Sequence, residues 1–404
     1  MIQTQSLTLA PSSAPAAARL FLKTLRKLHT GHLTLVTPGG ARLLFGNSHT
    51  LPGAELFVHD WSACQRIMTG GDIGFAHALR HGWVESPDLT ALMQLAIRNE
   101  SAMTATVWGN WVSRAWYALR HWLRPNTRAG SRQNIHAHYD LGNDFYRLWL
   151  DESWTYSSAL FAGDFSLSLP DAQSAKYQQV LDMLKLKPGM RVLEIGCGWG
   201  GFAHYAAQRG IAVHGVTISP AQLEIAQQRI ANAGLTALAQ LELRDYRDVT
   251  GQYDAVVSIE MFEAVGVQFW EQWFQVVRER LAPGGKALVQ SITIEESRFE
   301  RYRTSSDFIR QYIFPGGMLP SLERFVSGAT QAGFFTNNVF AFGKDYAETL
   351  RRWRAAFDAS HPAVLAQGFD DAFIRTWQLY LAYCEAGFDE GRTDVVQFLL
   401  ERRD

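Results

Sequence analysis

The sequence predicts an α/β protein whose larger part is a doubly wound, Rossmann-like parallel sheet, with a smaller α+β domain in front of it. Two observations support this. The segment R-V-L-E-I-G-C-G-W-G-G (191–201) joins a short apolar strand to a glycine-rich stretch, in which the backbone can turn tightly before a helix. Further apolar segments follow at intervals and alternate with stretches of helical periodicity.

The elements of the predicted sheet follow in chain order. The strands are expected at 192–195, 212–220, 241–248, 253–260 and 286–294, and the helices at 201–209, 220–233 and 267–281. The fourth strand is an uninterrupted apolar run, as strands buried on both faces tend to be. Ser219 and Pro220 suit the cap and the first turn of the second helix.

A ligand site is expected at the carboxyl ends of the first three strands. Glu194 stands just before the glycine turn, and the spacing E-x-G-x-G fits S-adenosylmethionine better than a dinucleotide. A dinucleotide site usually carries an acidic residue at the end of the second strand, where Ile218 and Ser219 stand here. Asp245 and Tyr246 end the third strand, where they can hold the edge and face of an adenine. A tight turn that binds nothing is the alternative.

Composition excludes several classes of protein. The 404 residues are long enough for two domains, and three widely spaced cysteines make no disulfide framework. No Cys/His cluster has zinc spacing, so no metal site is predicted. No apolar run approaches the roughly eighteen residues that span a bilayer. Residues 1–18 lack the basic start and apolar core of a signal peptide. We expect a cytoplasmic protein, at most peripherally bound to a membrane.

The charge is unevenly distributed. Residues 1–134 hold 13 Lys/Arg and 6 Asp/Glu, a net charge of +7, whereas residues 135–404 hold 25 and 33, a net charge of −8. A basic front half predicts a polyanionic neighbour such as anionic lipid headgroups, nucleic acid or an acidic partner. The high aromatic content favours lipid, and no nucleic-acid-binding module is recognisable. Monomer and homo-oligomer both remain open.

The front of the chain is expected to form the α+β domain. A helix is predicted at 18–29, short strands at 33–36, 41–45 and 55–58, and helices at 60–69, 73–80 and 88–100. The segment G-N-W-V-S-R-A-W-Y-A-L-R-H-W-L-R (109–124) is then a basic, tryptophan-rich amphipathic helix. Such a helix suits a membrane interface, although it can equally pack its tryptophans on the next domain. Residues 125–134 are expected to form a basic linker.

Several motifs occur together in order: H-Y-D-L-G-N-D-F (138–145), T-Y-S-S-A (155–159), G-C-G-W-G-G (196–201), M-F-E-A-V-G (261–266) and Y-I-F-P-G-G-M-L-P-S (312–321). As a set they resemble the cyclopropane-fatty-acyl-phospholipid synthase and mycolic acid cyclopropane synthase family. Segments 70–75 and 86–89 resemble the lipid-associated front domain of its bacterial members. We therefore divide the chain into a lipid- or membrane-associated domain (1–105), a connecting segment (106–134) and a class I methyltransferase domain (135–404).

The resemblance implies transfer of a methyl group from S-adenosylmethionine to the cis double bond of an acyl chain in a phospholipid. It also implies the residues that contact the cofactor. Tyr156 and Ser157 would meet the methionine end, and Gly196 and Gly198 would underlie the ligand near Glu194. Further along the cofactor, Thr217, Ile218 and Gln222 would line the ribose, and Asp245 and Tyr246 would hold the adenine.

Methylation of an alkene leaves a carbocation, which aromatic faces stabilise and from which a base must remove a proton. In the family that base is a bound bicarbonate, cradled by a cysteine, a glutamate, a histidine and a tyrosine. The matching residues here are Ser158, Glu263, Gln290 and Tyr346. Serine and glutamine still offer hydrogen bonds to an oxyanion, so bicarbonate stays one alternative. The other is that Glu263 acts directly, with Tyr139 or Tyr346 relaying the proton.

The product depends on where the proton leaves. Cyclopropane is the first expectation, and a methylene- or methyl-branched chain is the second. Two further alternatives are a methyltransferase for a soluble small molecule and a non-catalytic lipid-binding protein of the same fold.

Overall fold

Residues 14–102 and 141–402 are described by the computed structural model, and they divide into two units. The predicted helix at 109–124, the linker at 125–134 and Tyr139 lie outside the described residues. The first described stretch holds α1 (Ala16–Leu25), β1 (His32–Val36), β2 (Arg42–Gly46), β3 (Gly53–Val58), α2 (Ser62–Arg80), β4 (Val84–Glu85) and α3 (Leu89–Arg98).

The second described stretch holds the larger sheet and the later helices. Its elements are α4 (Asn143–Arg147), α5 (Leu169–Leu184), β5 (Arg191–Ile195), α6 (Gly201–Ala207), β6 (Ala212–Thr217), α7 (Pro220–Asn232), β7 (Ala239–Leu243), β8 (Tyr253–Ile259), α8 (Trp270–Arg280), β9 (Leu281–Ile294), α9 (Glu296–Arg303), α10 (Leu322–Gln331), β10 (Phe334–Ala341), α11 (Gly343–Ala359), α12 (His361–Ala366), α13 (Asp371–Asp389) and β11 (Thr393–Arg402).

The second unit is built on a seven-stranded sheet of order β10-β11-β9-β8-β5-β6-β7. Strands β9, β8, β5, β6 and β7 pair in parallel, whereas β11 runs antiparallel to both β9 and β10. The predicted doubly wound α/β fold and its five parallel strands are confirmed. The sequence analysis did not predict β10 and β11, which complete the sheet beyond β9.

Alternation along the strands supplies two apolar faces, because successive side chains point to opposite sides of a sheet. Leu193 and Ile195 of β5 pack in a cluster with Phe274 of α8. Val192, which precedes Leu193 and points to the opposite side of the strand, packs in a second cluster with Phe202 of α6. Helices therefore cover both faces, and the carboxyl ends of the parallel strands are left at one edge.

Serine and proline place the helix that follows β6. The Ser219 hydroxyl accepts a hydrogen bond from the backbone N–H of Gln222, and Pro220 occupies the first turn of α7. This satisfies one of the free N–H groups at the helix start. The predicted cap is confirmed, and it sets the start of α7 directly beside the end of β6.

The first unit contains a four-stranded sheet of order β2-β1-β3-β4, so the predicted α+β character and the three strands are confirmed. The helices predicted at 60–69 and 73–80 join in α2, where Gly71 has a φ of 57° and interrupts the helical geometry. The unit also contains residues 305–313 and 357–390, which the sequence-based division assigned to the methyltransferase domain.

Helix α13 packs within the first unit against α2 and α3. Thr90 of α3 donates a hydrogen bond to the buried Glu385 of α13 at 3.0 Å. Asp72 of α2 accepts from the backbone N–H of Phe308 at 3.1 Å. Removing the front of the chain would therefore expose α13. Among residues 14–102 and 141–402, we find no helix long and apolar enough to cross a bilayer.

Candidate active site

The glycine turn connects β5 to α6 at the carboxyl edge of the sheet. Gly196 has a φ of 86° and Gly198 a φ of 51°, a region that glycine enters without steric cost. The N–H groups of Gly196 and Cys197 both donate to the Val216 carbonyl, at 2.9 and 3.0 Å. A Cβ at Gly196 would lie 2.8 Å from Cγ of Met261. The turn is therefore held between the ends of β6 and β8.

The residues expected beside a ribose meet where β6 ends. The Thr217 hydroxyl donates to Oε1 of Gln222 at 3.3 Å, and both side chains are buried. Ile218 lies between this pair and the Ser219 cap and is half-buried. Thr217, Ile218 and Gln222 are thus brought together, as the sequence predicts.

The residues expected beside an adenine follow β7. Arg247 donates to both oxygens of the buried Asp245 carboxylate, at 2.8 Å from Nε and 2.6 Å from Nη2. The backbone N–H of Arg247 also donates to Oδ1 at 3.0 Å, so the carboxylate is held in one orientation by a single residue. Burial raises the pKa of Tyr246 to about 12, so its ring stays neutral. Sequence reasoning did not identify Arg247.

Helix α4 connects the glycine turn to the start of α7. The Asn143 side chain accepts a hydrogen bond from the Trp199 indole and donates one to the Ala221 carbonyl, each at 2.9 Å. The Trp199 ring packs on Tyr146 at a centroid distance of 5.0 Å. The motif at 138–145 therefore supplies, in Asn143, a residue that positions the glycine turn against α7.

A cluster of rings lies beside Tyr156. The Tyr156 ring is 5.3 Å from that of Trp353, 5.5 Å from that of Trp149 and 5.6 Å from that of Tyr146. Trp353 in turn packs edge-on against Tyr346 at 6.2 Å. This set (Tyr146, Trp149, Tyr156, Tyr346 and Trp353) is called the aromatic cluster below. Its negative ring faces can stabilise a developing positive charge.

Ser157 is tied to α5 by a buried lysine. Nζ of Lys176 donates to the Ser157 hydroxyl at 2.7 Å and to Oε1 of Gln173 at 2.8 Å. Burial lowers the pKa of Lys176 to about 7, against the attraction of Glu260, Asp151 and Glu194. The sequence analysis assigned no role to this lysine.

Glu194, the penultimate residue of β5, has its carboxyl group buried. Burial raises the pKa of this carboxyl well above its ordinary value, opposed by a hydrogen bond from the N–H of Ala203 and by the charge of Lys176. Among the described residues, Oε2 of Glu194 has no hydrogen-bond partner. An acceptor therefore remains beside the glycine turn.

Glu260, directly after β8, accepts hydrogen bonds from three donors. Its Oε1 accepts from the backbone N–H of Ser158 at 2.9 Å and from Nε2 of Gln290 at 2.8 Å. Its Oε2 accepts from the Tyr346 hydroxyl at 2.7 Å. Burial raises the pKa of Glu260, while these three bonds and the charge of Lys176 lower it. Three hydrogen bonds of this kind favour the ionised carboxylate.

Neighbouring strands orient the Gln290 amide. Its Oε1 accepts a hydrogen bond from Nε2 of Gln397 at 3.0 Å, so its amide nitrogen faces Glu260. The register of β9 and β11 sets Gln290 opposite Gln397. Gln179 of α5 donates to Oε1 of Gln397 at 3.3 Å and continues the chain of amides.

Glu263 lies in a single 3₁₀ turn after Glu260. Its Oε1 accepts from the backbone N–H of Ile292 at 2.5 Å and from the Ser291 hydroxyl at 3.0 Å. Within the described part of the chain, its buried Oε2 has no hydrogen-bond partner. Burial, then the charge of Glu260, raises the pKa of Glu263 to about 8. At neutral pH Glu263 therefore holds its proton.

Ser158, Gln290 and Tyr346 are brought together as predicted, but all three hydrogen-bond Glu260 and not the expected Glu263. Ser158 contributes its backbone N–H, because its hydroxyl donates to the Ala159 carbonyl. Sequence reasoning treated Glu260 only as the last residue of a strand. Its signal was a carboxylate directly after a buried parallel strand, at the edge where ligands bind.

The chain is similar in sequence to proteins of a known family. A family model described as mycolic acid cyclopropane synthetase matches residues 126–398. The chain is similar to a tuberculostearic acid methyltransferase of Mycobacterium tuberculosis, with 38% identity over 98% of this chain and 92% of that protein. It is also similar to a cyclopropane-fatty-acyl-phospholipid synthase of Escherichia coli, with 33% identity over 86% of this chain and 88% of that one.

A solved structure is similar to this chain in its fold as well. The mycolic acid cyclopropane synthase CmaA1, in complex with SAH and CTAB, superposes with a TM-score of 0.63. It is 32% identical in sequence and covers 67% of this chain and 98% of its own.

Proposed function

Because this chain belongs to the mycolic acid cyclopropane synthetase family and is an S-adenosylmethionine-dependent methyltransferase, we propose that it methylates the cis double bond of an unsaturated acyl chain in a phospholipid. The predicted cofactor and enzyme class are confirmed by the family and its relatives. The acyl chain, its double bond and its lipid headgroup belong to the proposal.

The observation that carries the proposal is the half-buried carboxylate of Glu260, which accepts a hydrogen bond from Tyr346 of the aromatic cluster. An alkene is a weak nucleophile and leaves a carbocation once it takes up a methyl group, so its methylation needs rings that stabilise the cation and a base that removes a proton. Both lie near the glycine turn, since Tyr146 of the aromatic cluster packs on Trp199 and Met261, which follows Glu260, lies beside Gly196. These contacts support one site that holds both the cofactor and the base.

Two products fit this chemistry. Ring closure gives a cyclopropane, as in the Escherichia coli relative named a cyclopropane synthase. Formation of a double bond to the new carbon gives a methylene branch, and its reduction a methyl branch. The second product is favoured by the likeness, over almost the whole chain, to a protein named a tuberculostearic acid methyltransferase.

The test uses S-adenosylmethionine with a trideuterated methyl group and vesicles of a monounsaturated phospholipid. We expect label in the extracted acyl chains, with two deuterons retained, because the base removes the third. Methylation of nitrogen or oxygen would retain all three. Deuterium NMR of the methyl esters separates ring deuterons from alkene deuterons. Labelling of soluble amines or alcohols, with none in lipid, would contradict the proposal and support the small-molecule alternative.

We also propose that basic residues of the front half hold the enzyme on anionic membranes at the cytoplasmic face. Replacement of Arg114, Arg120 and Arg124 by glutamate is expected to weaken binding to anionic vesicles about a hundredfold, since each basic residue near such a surface contributes about 1 kcal/mol. Sedimentation with phosphatidylglycerol vesicles at several salt concentrations measures this, using the full chain because α13 needs the front of the chain for packing.

The matched control reverses three exposed charges of the second unit, Lys185, Lys187 and Arg209. Its vesicle binding should stay within about threefold of wild type, because it has the same net charge but leaves the front half intact. Equal weakening in the two triple variants would contradict a specific membrane-binding role for residues 109–124.

A further inference from the structure

The Glu260 carboxylate lies where the sequence analysis expected a separate anion. The resemblance implied bicarbonate held by residues at positions 158, 263, 290 and 346. Three of those positions hydrogen-bond Glu260 directly, through the Ser158 N–H, the Gln290 amide and the Tyr346 hydroxyl. A carboxylate has the planar pair of oxygens that a bicarbonate would present to these donors. The donors that would bind the ion are therefore already used.

Of the two neighbouring glutamates, Glu260 is the better anion. It accepts three hydrogen bonds with both oxygens, whereas those of Glu263 go to one oxygen. The charge of Glu260 is itself a cause of the raised pKa of Glu263. When two neighbouring carboxyl groups carry one negative charge between them, that charge is most stable on the group that accepts more hydrogen bonds.

The backbone holds Glu260 in this place. Its φ is 51°, a left-handed conformation that is unfavourable for a non-glycine residue. The backbone N–H of Glu260 donates to the Gln290 carbonyl at 2.8 Å, which fixes the residue against β9. Strain of this kind persists where the surroundings impose it, and such positions cluster at active sites.

We propose that Glu260 is the proton acceptor of the methylation reaction, a carboxylate of the chain itself that takes the place of a bound bicarbonate. The inference rests on the proposed alkene substrate. It assigns catalysis to a residue that the sequence analysis placed in no site, and it predicts an enzyme that works without bicarbonate.

The methylation takes place by transfer of the methyl group followed by loss of a proton. The alkene π pair forms a bond to the methyl carbon while the S–C pair returns to sulfur, leaving S-adenosylhomocysteine and a carbocation on the other alkene carbon. One Glu260 oxygen takes a proton from the transferred methyl, and the freed C–H pair closes the cyclopropane ring. If a 1,2-hydride shift comes first, the same pair forms the methylene double bond. Glu260 is left as a carboxylic acid and loses its proton to solvent before the next turnover.

The test compares Glu260→Gly with Glu260→Gln in buffer freed of carbon dioxide. Glycine suits a φ of 51° and vacates the carboxylate position while leaving its three donors in place. Glutamine keeps the position filled and is no proton acceptor. Both variants should transfer label at least about a hundredfold more slowly than wild type, which is within the range of general-base catalysis. Both should bind S-adenosylhomocysteine within about threefold of wild type by calorimetry.

Added bicarbonate separates the outcomes. We expect it to raise the rate of Glu260→Gly at least about tenfold and to leave wild type and Glu260→Gln unchanged, because only the glycine variant has room for the ion. A wild-type enzyme that needs bicarbonate, or a Glu260→Gln variant with full activity, would overturn the inference while leaving the methylation itself intact. Absence of labelled lipid from wild type at every bicarbonate concentration would instead refute the proposed function.

Discussion

Replacement of Lys176 by methionine is expected to lower the free energy of unfolding by about 3 kcal/mol at pH 8, because two buried oxygens lose their hydrogen-bond donor at a cost of about 1–3 kcal/mol each. Lys176 is a buried amine, and the charges of Glu260, Asp151 and Glu194 favour its protonated form. Methionine has a similar volume but neither charge nor hydrogen bonds. The Ser157 hydroxyl and the Gln173 carbonyl each lose a donor.

The expected loss depends on pH with a definite sign. Burial raises the pKa of both Glu194 and Glu260 in the folded protein above the ordinary value of 4.5. The folded state therefore holds these protons more tightly than the unfolded state, and stability falls as the pH rises above about 4.5. The pKa of Lys176 shifts the opposite way, from 10.5 in the unfolded chain to about 7, so burying its charged form destabilises the folded wild type at low pH, and methionine removes that cost. The difference between variant and wild type should thus be small at pH 5.5 and largest at pH 8.

Urea unfolding of the full chain at both pH values, followed by tryptophan fluorescence and circular dichroism, measures this difference. Lys187→Met is the matched control, since Lys187 is exposed and its replacement should change the free energy of unfolding by less than about 0.5 kcal/mol. A loss of the same size at both pH values would show that Lys176 acts through packing alone and not through its charge.

The second large effect is expected from Gly196→Ala, which should weaken the binding of S-adenosylhomocysteine about a hundredfold. Alanine adds the general cost of a left-handed φ, about 1–2 kcal/mol. It also places a Cβ 2.8 Å from Cγ and 2.9 Å from Cβ of Met261. Real Cβ atoms do not approach so closely, so the glycine turn and the end of β8 must separate. That movement displaces the backbone beneath the cofactor.

Gly234→Ala is the control for this prediction. Gly234 follows α7 with a φ of 69°, and a Cβ there would meet no atom within 4 Å. It carries the same conformational cost without the collision, so it should lower the melting temperature slightly and leave cofactor affinity unchanged. Isothermal titration calorimetry measures the affinity of both variants for S-adenosylhomocysteine. Similar affinities for the two variants would mean that the contact of Gly196 with Met261 does not shape the cofactor site.

Much of this protein could be predicted from its sequence because the signals were local. Short apolar runs located β5, β6, β8 and β9, and the glycines at 196–201 located the turn between β5 and α6. A serine before a proline located the start of α7. Each of these signals depends on backbone preferences and side-chain periodicity within a few residues.

The elements near the end of the chain were harder to predict from the sequence. Strands β10 and β11 follow long helical segments, and β11 reverses the direction of the parallel sheet. Helix α13 packs in the first unit although it lies near the end of the chain. Contacts between such distant segments depend on which apolar faces remain uncovered after the rest of the chain has folded, and that is a property of the whole molecule.

By itself, the sequence determined the parallel sheet, the cofactor turn and the type of chemistry, since these follow from residues close together along the chain. Only the tertiary structure decided which glutamate receives the donors. Ser158, Gln290 and Tyr346 are each more than fifty residues from the next along the chain. They meet at Glu260 because strand register, the amide of Gln397 and a left-handed φ direct them there. A hydrogen bond requires its two atoms within about 3 Å, and spacing along a chain does not specify that distance.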